Sequence, residues 1–190
     1  MVDLVFRAVT RATWADFAAL FEARGGPKNC WCMVWRSMPA KERQQSSAHR
    51  RAAMKARVDD GVPVGILGYH HGAPIAWCSI APRETYRALG GPPADADRER
   101  VWSLACFFIK RDFRRQGLAR KLIAAAVDHA ARHGATMVEA YPVDPDSPSY
   151  RFMGYVDTFA AAGFRDVGSA GSRRHVMRLA VPSPKRSPSS

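Results

Sequence analysis

A short basic segment, Arg114-Arg115-Gln116-Gly117-Leu118-Ala119, separates a run of apolar residues from a run with helical periodicity. A helix that begins at this point presents unpaired backbone N–H groups and the positive end of its dipole, which together bind anions. Gly117 has no Cβ, so a ligand can approach the backbone closely there. Arg114, Arg115 and Arg120 add positive charge around the same point. These residue types, in this order, predict a binding site for a pyrophosphate.

The segment matches neither of two common phosphate-binding patterns. It lacks the Gly-x-x-x-x-Gly-Lys-Ser/Thr pattern of a P-loop and the Gly-x-Gly-x-x-Gly pattern of a dinucleotide fold. The alternative interpretation is an ordinary strand-to-helix turn on a basic surface. A buried strand before the turn and an amphipathic helix after it favour the anion site, because such a site needs both elements.

Hydrophobic periodicity predicts the elements that must position this segment. Val101–Ile109 is apolar on both faces, which is typical of a central buried strand. From Leu118 the apolar residues repeat at helical spacing, and Gly134 ends the helix. Other strands are predicted over residues 2–9, 64–69, 74–80, 136–141, 165–167 and 175–181, and other helices from residue 14, over 39–58 and over 155–162. This order predicts an α/β fold with a mixed sheet.

The chain has 190 residues and a formal net charge of +12. This length fits one domain, which we predict over residues 1–181, followed by a disordered tail at 182–190. The composition, with 47% hydrophobic and 24% charged residues, excludes a wholly disordered chain. No apolar run is as long as a membrane span, so no membrane partner is expected. The positive charge indicates an anionic partner such as nucleic acid or a phosphorylated cofactor.

Four cysteines occur in the chain: Cys30, Cys32, Cys78 and Cys106. The first ten residues do not form a signal peptide, so we expect a cytoplasmic protein whose thiols stay reduced. Cys30 and Cys32 have no further ligands at metal-binding spacing, and no metal site is predicted. These thiols are expected to be buried or to line a pocket.

The chain resembles the GCN5-related N-acetyltransferase (GNAT) family, most strongly over residues 101–164. Arg114-x-x-Gly117-x-Ala119 matches the family's cofactor motif, Gln/Arg-x-x-Gly-x-Gly/Ala. The preceding hairpin and the strands and helices that follow have the family's order. The resemblance implies a single domain with a mixed, mostly antiparallel central sheet flanked by helices, in which two central strands splay apart. It also implies acetyl transfer from acetyl-CoA to a primary amine of a small molecule, peptide or protein.

By the same resemblance, the motif's backbone N–H groups would hold the pyrophosphate of acetyl-CoA. The end of the preceding strand would pair with the pantetheine arm. The cofactor-binding residues expected are Phe107, Phe108, Ile109, Arg114, Arg115, Gln116, Gly117, Leu118, Ala119 and Arg120.

Three positions depart from the family's catalytic pattern. Phe159 replaces a tyrosine that acts as general acid in many members, Phe152 replaces a common asparagine, and Ser103 replaces a glutamate base. Tyr155, one helical turn before Phe159, is the substitute acid that we predict, and Glu139 is the substitute base. Their alternative interpretations are a packed aromatic and a surface carboxylate. Weaker candidates are Tyr150, His70, His71, Glu84 and the thiols of Cys78 and Cys106.

The acceptor side is predicted from residues 30–36, the basic helix, Trp77 and the loop at 82–89. Trp31, Trp35 and Trp77 either line an aromatic pocket or belong to the core. Two other functions stay open, namely an acyl-CoA sensor without catalysis and a basic nucleic-acid-binding module. The second lacks any helix-turn-helix, zinc-finger or RRM pattern. A homodimer also stays open.

Overall fold

Seven strands form one sheet in a computed structural model of the chain, which describes residues 3–39, 46–95 and 99–181. The strand order is β1-β2-β3-β4-β5-β7-β6. The strands are β1 (Val5–Ala8), β2 (Ile66–His70), β3 (Ala73–Pro82), β4 (Val101–Ile109), β5 (Met137–Ala140), β6 (Arg165–Ala170) and β7 (Arg174–Ala180). The α-helices are α1 (Trp14–Glu22), α2 (Ser47–Asp59), α3 (Leu118–Arg132) and α4 (Val156–Ala160).

The two central strands, β4 and β5, are paired over only part of their length. They run parallel and pair from Val101 with Met137 to Leu104 with Ala140, and β4 then continues alone to Ile109. All the other strand pairs of the described residues are antiparallel. The predicted mixed, mostly antiparallel sheet with splayed central strands is therefore confirmed.

A β-bulge lies in β4 where the two strands begin to separate. Ser79 of β3 pairs with Cys106 and Ile80 pairs with Leu104, so Ala105 is the extra residue. A bulge leaves its extra residue outside the ladder and changes the faces to which later side chains point. Phe107 therefore packs in the cluster that contains α3, whereas Cys106 and Phe108 pack on the opposite face.

Each face of the sheet is covered by different elements. On one face, α3 buries an apolar stripe that includes Leu122, Ile123 and Ala126, and α4 adds Phe159. Burying one such aliphatic side chain contributes about 1.5–3 kcal/mol, which holds α3 against β4. On the other face, α1 and α2 cover β2 and β3, and Trp31 and Trp77 belong to that core.

Several element boundaries differ from those predicted. Helix α2 begins at Ser47 because Ser46 caps it by accepting a hydrogen bond from the His49 backbone N–H, and residues 40–45 of the predicted helix lie outside the described residues. Strand β6 continues to Ala170 because a register shift lets it pass Gly168 without losing its partner. Residues 182–190 also lie outside the described residues, so the domain boundary and the tail stay predictions.

In the described part of the chain, none of the helices has the length and apolar character required to cross a membrane.

The loop after β5 is tied to the edge of the sheet by one histidine between two carboxylates. His175 Nδ1 lies 2.6 Å from Asp166 Oδ2, and its Nε2 lies 3.3 Å from Asp144 Oδ2. The hydrogen bond with Asp166 raises the pKa of His175, and the same bond lowers the pKa of Asp166. The cluster therefore holds a proton that the unfolded chain would release near neutral pH.

This cluster predicts a pH-dependent contribution to stability. The His175 contribution is complete below the unfolded histidine pKa, near 6.5, and is lost as pH rises through the raised folded value. The Asp166 contribution is lost as pH falls through its lowered folded pKa. We expect His175→Gln to lower the free energy of unfolding by less than about 1 kcal/mol at pH 6, because the pair is partly exposed, and by less at pH 8.5. Urea unfolding at both pH values measures this, and His71→Asn, in an exposed turn, is the control. An equal loss at both pH values would contradict the prediction.

Candidate functional site

The end of β4 presents an open backbone edge toward the gap between β4 and β5. On its other side, β4 stays paired with β3 as far as Ile109 with Ala76. From Ala105 onward, its edge toward β5 has no strand partner among the described residues. Unpaired N–H and C=O groups along an extended strand can pair with an extended ligand that carries amides. Phe107, Phe108 and Ile109 of the predicted cofactor set lie on this edge.

The basic segment connects this edge to the start of α3. Gly117 caps α3 with a φ of 72°, and Arg115 also has a left-handed φ of 60°. The Arg114 Nε donates to the Ile109 carbonyl at 2.8 Å, so the loop is fixed to the end of β4. Buried Leu118 anchors the first turn of the helix. Arg114, Arg115, Gln116, Gly117 and Arg120 are exposed, and Ala119 is half-buried.

The backbone conformation gives a second reason for a glycine at position 117, and the close approach of a ligand stays a prediction. A Cβ at Gly117 would meet nothing within 4 Å in the protein, so neighbouring protein atoms do not require glycine there. The backbone conformation does, because an L-residue rarely adopts this positive φ. The open space over Gly117 leaves the first-turn N–H groups of α3 accessible to an anion.

An apolar pocket lies on the opposite side of β4 from α3. It has a volume of about 290 Å³. The residues that line this β4 pocket are Pro27, Cys30, Cys32, Val34, Trp35, Ser79, Tyr86, Ala105, Cys106, Phe107, Phe108 and Phe152. The pocket therefore contacts the open edge of β4 at its bulge. Its lining includes Trp35 and residues of the predicted 30–36 and 82–89 segments, but Trp31 and Trp77 belong to the core instead.

The β4 pocket contains one chain of hydroxyl groups. Tyr86 Oη lies 2.9 Å from Ser79 Oγ, which accepts a hydrogen bond from the Arg36 guanidinium at 2.9 Å. Burial raises the pKa of Tyr86 to about 12, although the Arg36 charge acts in the opposite direction. Arg36 is 1% exposed and its guanidinium carbon lies 4.0 Å from the centre of the Tyr86 ring. At neutral pH, Tyr86 is therefore a protonated hydroxyl that can donate a proton.

Three thiols also line the β4 pocket. Cys32 Sγ lies 3.4 Å from Cys106 Sγ and accepts a hydrogen bond from Trp77 Nε1 at 3.1 Å. The hydrogen bond to Cys106 and burial raise the pKa of Cys32, and the bond to Cys32 and burial raise that of Cys30. Within the described ranges, no three His, Cys, Asp or Glu side chains form a cluster that could hold a metal ion.

Glu139, the predicted base, lies in a buried ion-pair network. It is 0% exposed, and its Oε2 accepts a hydrogen bond from Arg178 Nε at 2.7 Å. Its Oε1 accepts one from Tyr141 Oη at 2.5 Å and lies 3.5 Å from Arg83 Nε. Ser103 Oγ is 2.9 Å from the same Tyr141 hydroxyl. Glu139 is thus not a surface carboxylate, and these contacts favour a structural role.

Tyr155, the predicted acid, precedes α4 and does not belong to it. Its backbone is extended, with φ −116° and ψ 144°, so the helical relation to Phe159 that motivated the prediction is absent. Its hydroxyl forms no hydrogen bond with any described residue, and the side chain is half-buried. Phe159 packs against Phe107, and a Cβ at Gly154 would come within 2.8 Å of the Phe159 ring. The catalytic role of Tyr155 stays a prediction.

The weaker candidates are dispersed: Cys106 lines the β4 pocket, Tyr150 packs against Trp35, and Cys78 is buried in the core. His70 and His71 line a different depression beside β1, and Glu84 lies in a third. Sequence reasoning missed the Arg36–Ser79–Tyr86 chain, because a buried arginine with neutral partners has no sequence signature. The sequence contains only an indirect indication of these residues: Arg36 and Tyr86 both lie in segments predicted to form the acceptor side.

Comparisons with known proteins define the family. The sequence model of the Acetyltransferase (GNAT) family matches residues 27–155, which is more than half of the chain. The chain therefore belongs to the GNAT acetyltransferase family, whose members use acetyl-CoA. No curated protein sequence matches the chain significantly.

Solved structures show the same fold. An N-acetyltransferase from Staphylococcus aureus Mu50 is 10% identical, with a TM-score of 0.57 and coverage of 95% of this chain and 99% of that one. A ribosomal-protein-alanine N-acetyltransferase from Brucella melitensis is 17% identical, with a TM-score of 0.55 and coverage of 93% and 99%. The protein yncA from Salmonella typhimurium, solved with its cofactor acetyl-CoA, is 18% identical, with a TM-score of 0.56 and coverage of 96% of both chains.

The Glu139 network predicts a large loss of stability on substitution. We expect Glu139→Gln to lower the free energy of unfolding by about 3–5 kcal/mol, because it leaves the Arg178 charge without its closest partner. Urea unfolding measures this. Glu84→Gln, which removes an exposed carboxylate, is the control and should change stability by less than about 0.5 kcal/mol. Unchanged stability with abolished turnover would instead assign Glu139 to proton transfer.

Proposed function

We propose that this protein is an N-acetyltransferase that uses acetyl-CoA and acetylates a primary amine bound in the β4 pocket. One observation carries the proposal. The open edge of β4 runs from the bulge, beside the pocket, to Ile109, which the basic segment fixes to the start of α3. A single extended ligand along this edge would place its anionic end at the helix and its reactive end at the pocket.

The described residues fit acetyl-CoA. Its pantetheine arm is extended and carries two amides, which match the unpaired backbone groups of β4 after Leu104. Its pyrophosphate matches the exposed N–H groups of the first turn of α3, with Arg114, Arg115 and Arg120 beside them. The cofactor supplies an acetyl group activated as a thioester. This agreement between the groups of the cofactor and those of the protein supports the predicted binding set, 107–109 and 114–120.

The pocket favours the neutral, reactive form of an amine. An ammonium loses its hydration in an apolar cavity, so burial lowers the pKa of the amine. None of the lining residues is a carboxylate that would stabilise the ammonium. The positive charge of Arg36 behind Tyr86 acts in the same direction. A dedicated general base is therefore less necessary here than at an exposed site.

Two groups of the chain could assist the acetyl transfer. The bulge at Ala105 presents backbone N–H groups outside the ladder, and such donors stabilise negative charge that develops on the acetyl oxygen. The Tyr86 hydroxyl can donate a proton to the departing sulfur, and Tyr155 is the alternative donor predicted from the sequence.

Four free thiols, Cys30, Cys32, Cys78 and Cys106, support the cytoplasm as the compartment.

A sensor that binds acyl-CoA without turnover is the second candidate. By the resemblance, Phe159 stands at the sequence position of the family's acid, and the β4 pocket has no carboxylate in its lining. Release of the CoA thiol in the presence of an amine panel distinguishes the two functions. Stabilisation by acetyl-CoA without thiol release would favour the sensor.

Gly117 provides a sharp test of the cofactor site. We expect acetyl-CoA to raise the melting temperature of the wild-type protein, by mass action, and Gly117→Ala to lose most of this shift because it disturbs the turn over the pyrophosphate. Gly171→Ala is a matched control, because Gly171 has the same φ of 72° and equally open surroundings. Both variants should lose about 1 kcal/mol of stability, but Gly171→Ala should keep the full shift. If both variants lost the rise in melting temperature caused by acetyl-CoA, or if neither did, the proposed pyrophosphate site at Gly117 would be contradicted.

Substitution of Tyr86 and of Tyr155 shows which of them is the general acid of the proposed reaction. If Tyr86 donates the proton, Tyr86→Phe lowers kcat by about 10²–10⁴-fold without abolishing cofactor stabilisation, whereas Tyr155→Phe lowers it by less than about threefold. Steady-state kinetics on both variants decides between them. The reverse order would assign the proton to Tyr155, and two unaffected variants would show that the thiolate leaves without an acid.

A further inference from the structure

The four cysteines of the chain come together around one sulfur atom. Cys32 Sγ lies 3.4 Å from Cys106 Sγ, although 74 residues separate them in the sequence. Cys30 also forms a hydrogen bond with the Cys32 thiol, and Cys78, on the neighbouring strand β3, interacts with it electrostatically. The proposed acetyl transfer uses none of these sulfurs, so the cluster needs an explanation of its own.

The sulfurs of Cys32 and Cys106 are close enough to join after small movements of their side chains. A disulfide bond has a length of about 2.0 Å, so the two atoms must approach each other by roughly 1.4 Å. Cys32 lies outside the regular elements, and Cys106 follows the bulge at Ala105, where β4 is paired only with β3 among the described strands. Neither thiol is therefore held in a ladder with partners on both sides, and rotation about the Cα–Cβ bonds can bring them together.

The turn that presents Cys32 to β4 is strained. Trp31 and Cys32 are consecutive residues with φ of 47° and 50°, a backbone conformation that L side chains rarely adopt. Trp31 is 2% exposed and its Nε1 donates to Ser47 Oγ at 3.2 Å, so packing holds the turn in place. Such strain persists only where the surrounding structure maintains it, and it is concentrated at functional positions. Here it maintains the contact between the two sulfurs.

The β4 pocket gives a small oxidant access to Cys106. Cys106 lines the pocket and is partly exposed, whereas Cys32 also lines it but is 7% exposed. A water molecule occupies about 30 Å³ of liquid volume, and hydrogen peroxide is little larger, so a pocket of about 290 Å³ admits it. Cys106 is therefore the sulfur that an oxidant meets first, and Cys32 is the thiol in contact with it.

We propose that Cys32 and Cys106 form a reversible oxidation site, at which a hydroperoxide converts the two thiols into a disulfide. With hydrogen peroxide, the Cys106 thiolate attacks one oxygen, an S–O bond forms, the O–O bond breaks and hydroxide leaves, which gives a sulfenic acid. Cys32 Sγ then attacks the oxidised sulfur, the S–S bond forms, the S–O bond breaks, and the hydroxyl group leaves with the Cys32 proton as water. In sum, two thiols lose two electrons and two protons, and one peroxide is reduced to two waters.

The disulfide fastens the segment at residues 30–36 to β4 across one wall of the β4 pocket. Both joined residues line this pocket, whereas the basic segment and the start of α3 lie outside it. A thiol reductant opens the bond again by exchange, and Trp77 Nε1, which donates to Cys32 Sγ at 3.1 Å, stabilises the thiolate that leaves. The oxidation site does not depend on the proposed function, because the two sulfurs are in contact whichever ligand the pocket binds.

Mass spectrometry of the protein treated with hydrogen peroxide tests the pairing. We expect the wild-type chain to lose the mass of two hydrogen atoms and to regain it with dithiothreitol. Trypsin releases Cys32 within residues 29–36 and Cys106 within residues 101–110. The oxidised protein should yield these two peptides joined by a disulfide, and fragmentation of the joined peptides should assign the bond to Cys32 rather than to Cys30. This assignment needs no variant, so it holds even if a substituted chain does not fold.

Cysteine variants provide the matched comparison. Cys32→Ser and Cys106→Ser should abolish the joined peptides, and Cys30→Ser, the same substitution two residues away in the same peptide, should retain them. An internal bond between Cys30 and Cys32, joined peptides in the Cys32→Ser variant, or a wild-type chain that gains oxygen atoms without forming the bond would overturn the inference.

The melting temperature distinguishes this inference from the proposed function. Oxidation should raise it by at least about 4 °C, because the bond closes a loop of 74 residues in the unfolded chain. No rise would show that the bond does not fit the native fold, and the inference would fail. The further rise caused by acetyl-CoA should be equal in the reduced and oxidised proteins, and its loss on oxidation alone would also overturn the inference. Absence of that rise from both forms would contradict the proposed function and leave the oxidation site intact.

Discussion

Four residue pairs join β4 to β5, and this short parallel ladder sets the geometry of the site. It ends at Leu104 and Ala140, so β4 leaves its partner just where the bulge at Ala105 changes its faces. The free end of β4 leads to the start of α3. The residues of β4 at the bulge line the apolar β4 pocket. A ladder two residues longer would occupy the edge on which we propose that the pantetheine arm binds. The buried Glu139 network lies on the paired part of β5 and holds β5, β7 and the loop before β4 together, so the strands separate without unravelling the sheet.

The charge of the chain is divided between places with different partners. Arg114, Arg115 and Arg120 lie exposed around a helix N-terminus, where phosphate charge is favoured. Arg83 and Arg178 are neutralised by two carboxylates, because both contact Glu139 and Arg178 also lies 3.6 Å from Glu99. A nucleic-acid surface would instead need many exposed cations along one face. The most informative positive charge of this chain is therefore local, and it lies at the start of α3.

Local patterns were sufficient to predict much of the fold. Val101–Ile109 and the stripe of α3 have unmistakable periodicity, and the segment between them has a defined chemistry, so the cofactor side could be placed from the sequence. The acceptor side depends on contacts between distant segments. Arg36, Ser79 and Tyr86 are brought together by tertiary packing, and nothing in their spacing predicts it. Glu139 has a polar side chain in an apolar strand, which can indicate either catalysis or a buried ion pair. Only the positions of Arg83 and Arg178 distinguish these two roles.

The thiols of the β4 pocket have a consequence for the fate of the acetyl group. A thioester beside cysteines can pass its acyl group to a thiolate, and the product would be an acylated enzyme rather than an acetylated amine. Burial and the hydrogen bonds between the sulfurs raise the pKa of Cys30 and Cys32, so these two sulfurs remain neutral and poorly nucleophilic near pH 7. The same apolar surroundings favour a neutral amine, which is the nucleophilic form of that group. In the proposed reaction, one low-dielectric environment would thus suppress Cys30 and Cys32 as competing nucleophiles and activate the nitrogen, so that selectivity between these groups would depend on the solvation of the pocket.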